Sequence, residues 1–217
     1  MAGDRLSQAA WSDLWHRLRA RSDPAPGHLM VHRAYTEPHR HYHTREHIAR
    51  TLTLLDGVTA RLRHPAEAEL AVWLHDVIYD PTATDNEERS ADLAARLLDE
   101  GAVARPVVDR VRALILATRH VAAPEDPDAR YVVDADLSIL GGTPFEFDRY
   151  ERQVRQEFFF VPEPEWRERR ARLLRRFLGR PRLFETAEFA PFEAPARANL
   201  TRSLERLTGT CRSGATP

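Results

Sequence analysis

Five of the ten histidines in the chain, His32, His39, His41, His43 and His47, fall in one short stretch, and spacing has to sort the ligands among them. His43 and His47 lie four residues apart at the expected start of a helix, which sets both side chains on one face. His75 and Asp76 are adjacent, at the end of the apolar run Ala71-Val72-Trp73-Leu74. An imidazole and a carboxylate in such a place carry a desolvation cost unless something pairs with them, and a divalent cation pairs with both. The plainer use of the same pair is to cap the helix and hydrogen-bond the loop beyond it. A third segment, Asp134-Ala135-Asp136-Leu137, favours the metal: two carboxylates open an otherwise apolar helix, and one completes a shell of two histidines and two aspartates. Asp134 is also a good N-cap. Asp136 falls in the expected first turn, close to Leu137, Ile139 and Leu140, and is the assigned ligand.

These residues need helices to position them, and helical periodicity dominates the chain. Residues 5–20 carry Leu6, Ala9, Ala10 and Leu14 at helical spacings, followed by a Pro/Gly-containing loop from Ser22 to Gly27. A second helix is expected from about Thr44 to Arg63, and a third from Pro65 through Leu70, Trp73, Leu74 and Val77. Asp85 or Asn86 caps a fourth, which Gly101 ends. Val107, Val111, Leu114 and Ile115 mark a fifth, and Val121–Asp128 reads as an acidic, proline-containing loop. Later helices are expected at Asp134–Leu140 and about residues 145–160, 164–178 and 194–207. Tyr131-Val132-Val133 is the one short β-type run. The expected fold class is all-α, in a single domain with a core at about 40–140, a C-terminal helical extension at about 145–207 and a frayed tail at about 208–217.

The ordered elements resemble the HD superfamily of metal-dependent phosphohydrolases, and within it a bacterial branch of predicted HD-domain phosphohydrolases. The resemblance is carried by Arg40-His41-Tyr42-His43-Thr44-Arg45-Glu46-His47-Ile48 and by Trp73-Leu74-His75-Asp76-Val77-Ile78-Tyr79-Asp80. It continues through Asp85-Asn86-Glu87-Glu88-Arg89-Ser90-Ala91, Asp134-Ala135-Asp136-Leu137, Tyr150…Val154-Arg155-Gln156-Glu157-Phe158 and Ala196-Arg197-Ala198-Asn199-Leu200, most of residues 8–207. It implies an HD-like helical bundle with added N- and C-terminal helices, and a divalent ion (Mn, Mg, Ni, Co, Fe or Zn) held by His47, His75, Asp76 and Asp136. The implied activity is hydrolysis of a phosphoester or phosphoanhydride in a nucleotide or other small phosphorylated metabolite. Tyr42-His43…His47 is similar to cyclic-nucleotide phosphodiesterases of the superfamily, which assigns His43 as the acid that protonates the leaving oxygen. Asp76 either bridges to a second ion or orients the attacking water. Arg40 and Arg45, which flank His43, are the expected phosphate ligands, with Arg119 next. Glu87, His120 and Asp134 are candidates for a supporting shell or a second metal. Members with firmly dinuclear sites usually supply more histidines before the last aspartate, where this chain has only His120, so a di-iron oxygenase is the weaker alternative. A nucleotide-sensing module without turnover is the other.

The composition narrows the remaining classes. All 32 basic residues are arginine, which speaks against a P-loop and against Schiff-base chemistry. The single cysteine, Cys211, excludes an internal disulfide framework and a cysteine-rich zinc site. A formal net charge of −1 opposes a general nucleic-acid surface. No apolar run is long enough to span a bilayer and the N-terminus lacks a signal-peptide pattern, so a cytoplasmic protein is expected. Around the arginines from Arg167 to Arg176, Glu163, Glu165 and Glu168 make the better reading a charged outer face. Phe158-Phe159-Phe160 reads as core packing or as a contact in a homo-oligomer.

Overall fold

Helix α4 (Pro65–Leu74) shows why the expected helices assemble as they do. Pro65 occupies the first turn, where its missing N–H costs nothing, and every residue from Glu67 to Leu74 is buried. A helix apolar on all sides has to be surrounded. In the computed structural model, which describes residues 4–209, α4 packs against α1 (Gln8–Arg17), α3 (Arg45–Asp56), α5 (Asn86–Glu100) and α6 (Arg105–Ala117). Its Leu70, Val72 and Leu74 are fully enclosed, each side chain contributing about 1.5–3 kcal/mol by leaving water. Trp73 meets the edge of Trp11 at 5.2 Å, and Trp11 in turn stacks on Trp15 at 5.4 Å. The two acidic residues of α4 are compensated: Glu67 receives Arg110 at 2.5 and 2.8 Å, and Glu69 receives Arg5 at 3.1 Å and Arg17 at 2.6 Å.

Among the described residues the chain is all-helical, with ten α-helices and no strand. The described residues divide into two compact units, the first ending at Asp136 and the second beginning at Leu137. The expected tail from about 208 lies almost wholly outside the described residues, and Cys211 with it.

Three expectations about the first unit are corrected. The supposed loop at Ser22–Gly27 leads into a helix, α2 (Pro24–Ala34). Asp23 accepts from the amide of Ala25 at 3.0 Å, Pro24 takes the first turn, and at Gly27 a β-carbon would stand 3.2 Å from the Trp11 ring. The residues that look like breakers are a cap, a helix start and a close approach. Helix α3 stops at Asp56, with Gly57 as its cap and a 3-10 turn at Thr59–Arg61, well short of Arg63. Helix α7 runs Pro127–Leu137 and not from Asp134, so Tyr131-Val132-Val133 is helical. Asp126 accepts from Ala129 at the head of α7, and Asp128 accepts the backbone amides of Arg63 and His64 at 2.8 Å each. The acidic stretch read as loop is therefore partly the anchor of this helix.

The second unit holds α8 (Pro144–Glu157), α9 (Glu163–Leu178) and α10 (Glu193–Thr208). Thr143 and Glu146 close a capping box at the head of α8. Asn199 donates to the carbonyls of Leu140 and Gly142 at 2.9 Å each, tying α10 to the turn before α8. On α9, Arg172 pairs outward with Glu168 at 2.7 Å, as expected of a charged face, but Arg170 turns inward to Glu151 and to the Tyr150 hydroxyl at 2.9 Å. The aromatic run splits. Phe158 lies against Trp166 at 5.5 Å, whereas Phe159 is 76% and Phe160 46% exposed.

Candidate metal centre

The first unit brings the ends of three helices to one point. His75 is the cap at the C-terminal end of α4, and its Nδ1 faces the Val72 carbonyl at 3.0 Å. Donation through Nδ1 to that carbonyl leaves Nε2 to face the site. His47 lies in the first turn of α3, and Thr51 one turn on bonds its carbonyl at 3.0 Å. Asp136 belongs to the last turn of α7, not to the first turn of a later helix as its sequence position suggested. Asp76 follows His75 directly, where Val77 N still reaches the Leu74 carbonyl at 3.2 Å.

The facing atoms are close. His47 Nε2 is 3.2 Å from His75 Nε2, 3.1 Å from Asp136 Oδ1 and 3.5 Å from Asp76 Oδ2. His75 Nε2 is 3.0 Å from Asp76 Oδ2 and 3.5 Å from Asp136 Oδ1. The set His47, His75 and Asp136 can hold a metal ion, with ligand atoms all within 4.8 Å of one another. Two imidazole Nε2 atoms facing each other at 3.2 Å need a proton or a cation between them. Bonds of about 2.0–2.2 Å at angles of about 90–110° subtend edges of roughly 3.0–3.5 Å, the spacing seen here. The donor chemistry, imidazole nitrogen with carboxylate oxygen, suits the same ions.

Electrostatics follow from the crowding. Burial pulls the His75 pKa down, but the carboxylates of Asp76 and Asp136 outweigh it and hold the imidazole well above its usual value. Burial pushes Asp76 up, yet His75, His43 and His47 bring it below the ordinary carboxylate range. Asp136 behaves alike: burial raises it, while His75 together with hydrogen bonds from His120, His47 and His75 sets it well below. Both imidazoles are nearly sealed, with side chains 3% and 2% exposed, whereas Asp76 and Asp136 keep 17% and 12%. Access to the centre is therefore past the carboxylates.

The surrounding residues fall into place unevenly. His43 precedes α3, whose N-cap is Thr44, so it does not share a helical face with His47. Its ring lies 6.2 Å from that of His47, stacks on Tyr79 at 4.2 Å and meets Tyr42 edge-on at 5.1 Å. Asp134 is fully buried, two residues before Asp136 and so on the other side of α7. It is not an N-cap, because the helix starts at Pro127. His120 Nε2 lies 2.9 Å from Asp136 Oδ2. Glu87 is held above its usual pKa, first by burial and then by Asp76 and Glu88. Arg119 pairs with Glu88 at 2.6 Å. Arg45 reaches His32 at 2.7 Å and Asp4 at 3.5 Å.

Arg40 departs most from its expected role as a phosphate ligand. Its side chain is wholly buried. Nη1 donates to the carbonyls of His43 at 3.3 Å and Asp76 at 2.6 Å, Nη2 to Val77 at 3.0 Å, and Nε to Glu37 at 2.9 Å. The guanidinium sits 5.2 Å from the Tyr35 ring centre and 5.4 Å from that of Tyr79. It ties the His43 segment to the backbone of Asp76 and Val77, and its enclosed side chain presents no exposed surface to a substrate. Tyr35 and Tyr79 were not foreseen from sequence. The signal available was Tyr79 three residues beyond Asp76, within the stretch that carries the resemblance.

Neither a protein-family model nor a curated protein nor a solved structure matches the chain. Among the described residues, no helix is long and apolar enough to cross a membrane.

Proposed function

We propose that the chain is a metal-dependent phosphohydrolase of the HD type, acting on a phosphoester or phosphoanhydride bond of a nucleotide or other small phosphorylated metabolite. The observation that carries this reading is the convergence of His47 Nε2, His75 Nε2 and Asp136 Oδ1 at 3.1–3.5 Å, with Asp76 Oδ2 3.5 and 3.0 Å from the two imidazoles. These four side chains would hold the divalent ion, Asp76 alongside the three that already form a closed group. When bound, the ion supplies Lewis acidity toward a phosphoryl oxygen and makes water easier to deprotonate. Asp76 orients the attacking water. His43, stacked on Tyr79 and outside the ligand group, delivers a proton to the leaving oxygen. Of the two flanking arginines, Arg45 is the one left for phosphate, since its side chain is 36% exposed and Arg40 is enclosed.

The test is a metal-supplemented panel of nucleotides and small phosphoesters, with Asp76→Ala as control. The reading expects metal-dependent release of phosphate or of a dephosphorylated product, lost in Asp76→Ala. A protein that binds the ion and a nucleotide but turns over nothing on the panel is a sensor and overturns it. Oxygen consumption with bound iron and no phosphatase activity overturns it in favour of an oxygenase.

A further inference from the structure

Asp136 divides its two oxygens between two tasks. Oδ1 faces His47 Nε2 at 3.1 Å and His75 Nε2 at 3.5 Å, while Oδ2 turns away to His120 Nε2 at 2.9 Å. We propose that His120 is a positioning residue that holds Asp136 in this one-oxygen orientation and so sets the geometry and affinity of the centre. The inference rests on reading His47, His75 and Asp136 as metal ligands, and is independent of the reaction catalysed.

Two observations support it. His120 lies beyond the end of α6 (Arg105–Ala117), a helix that contributes none of the converging atoms, and its Nε2 meets the Asp136 oxygen that is turned away from them. Its side chain is 17% exposed, comparable with the 12% of Asp136, so the contact is largely shielded from solvent. Its backbone has φ of 55°, the left-handed region that glycine fills most easily. The same conformation follows α1 at Arg19 and α5 at Ala102, so it belongs to the way these helices end and not to the contact with Asp136. An N–H donated to Oδ2 fixes the carboxylate plane and leaves Oδ1 as the single donor. Ions content with one carboxylate oxygen beside two nitrogens gain from this arrangement, and those that favour two-oxygen carboxylate binding do not.

The test uses the full-length, metal-stripped protein titrated with Co(II), reading affinity and the visible d–d spectrum with no substrate present. His120→Gly is expected to bind Co(II) about 10–100-fold more weakly, with a changed spectrum. Its metal-free form should melt no lower than that of His120→Ala, because glycine relieves the φ of 55°. His120→Gln places an amide N–H at similar reach, so it should recover most of the affinity and the parent spectrum. A glycine variant that binds within about twofold of the parent with the same spectrum would falsify the positioning role. So would a glutamine variant no better than glycine, the outcome expected if His120 were itself a ligand. If the glycine variant fails to fold, the glutamine comparison alone decides. Absence of Co(II) binding by the parent protein overturns the metal centre itself, whereas absence of phosphatase activity with binding intact overturns only the proposed reaction.

Discussion

Metal binding at this centre should expel a proton from His75, and the extent follows from the geometry. In the metal-free protein His75 Nε2 lies 3.0 Å from Asp76 Oδ2 and 3.5 Å from Asp136 Oδ1, and these carboxylates keep the imidazole protonated well above its usual range despite burial. Asp76 and Asp136 are held below theirs, so neither carries a proton to lose near neutrality. An ion must take the Nε2 position from that proton. At pH 7 binding should therefore release at least about one proton, and affinity should climb about tenfold per pH unit, or about 1.4 kcal/mol, while His75 stays protonated in the free protein. The sign for stability is opposite. A raised histidine pKa gives the metal-free fold a contribution that is complete below about pH 6.5 and is lost as pH climbs through the folded value. The lowered aspartates contribute above about pH 4 and lose it as pH falls through their folded values. Calorimetric titration in buffers of different ionisation heat reads the proton count directly. A binding enthalpy independent of buffer, with affinity flat between about pH 6 and 7, would show that the aspartates do not hold a proton on His75 and would refute the argument.

Two further outcomes separate the roles around the centre. His43→Ala should keep its metal but hydrolyse substrates with poor leaving groups about 10²–10⁴-fold more slowly, sparing esters of acidic alcohols that need no proton. Equal loss on both classes would remove His43 as the acid. Arg40→Met should lower stability in urea denaturation by about 3–5 kcal/mol, because three carbonyls and Glu37 lose a buried cation. Arg40→Lys should recover little, since one ammonium cannot span the same acceptors. An Arg40→Met protein as stable as the parent, with only KM raised, would return Arg40 to the substrate.

Where residue type and period agree, the sequence was a good guide. Leu70, Trp73 and Leu74 mark α4, and Gly101 ends α5, because a dense apolar run and a cap leave few alternatives. The four converging side chains were legible for a different reason: an imidazole or carboxylate beside apolar residues is costly and so points to a partner. Boundaries at prolines and acidic clusters misled. Pro24, Gly27, Asp126 and Asp128 look like loop residues but start or anchor helices, and the resulting shift moved Asp136 from the first turn to the last. Arg40 was unreadable for a deeper reason. Two of its four acceptors are backbone carbonyls 36 and 37 residues away, and a carbonyl has no sequence signature.

Helix α4 is enclosed over its whole C-terminal half, and His75 and Asp76 issue directly from that end. No local fraying can uncover this pair without breaking into the middle of the first unit, so the amides of Leu70 to Leu74 should be among the last to exchange with deuterium. As the proposed ligands, the two would stay assembled between one ion and the next. Ion exchange would then proceed past the partly open carboxylates of Asp76 and Asp136, at a rate set by bond breaking and not by unfolding. A chelator should strip the centre and leave the protective core around α4 intact.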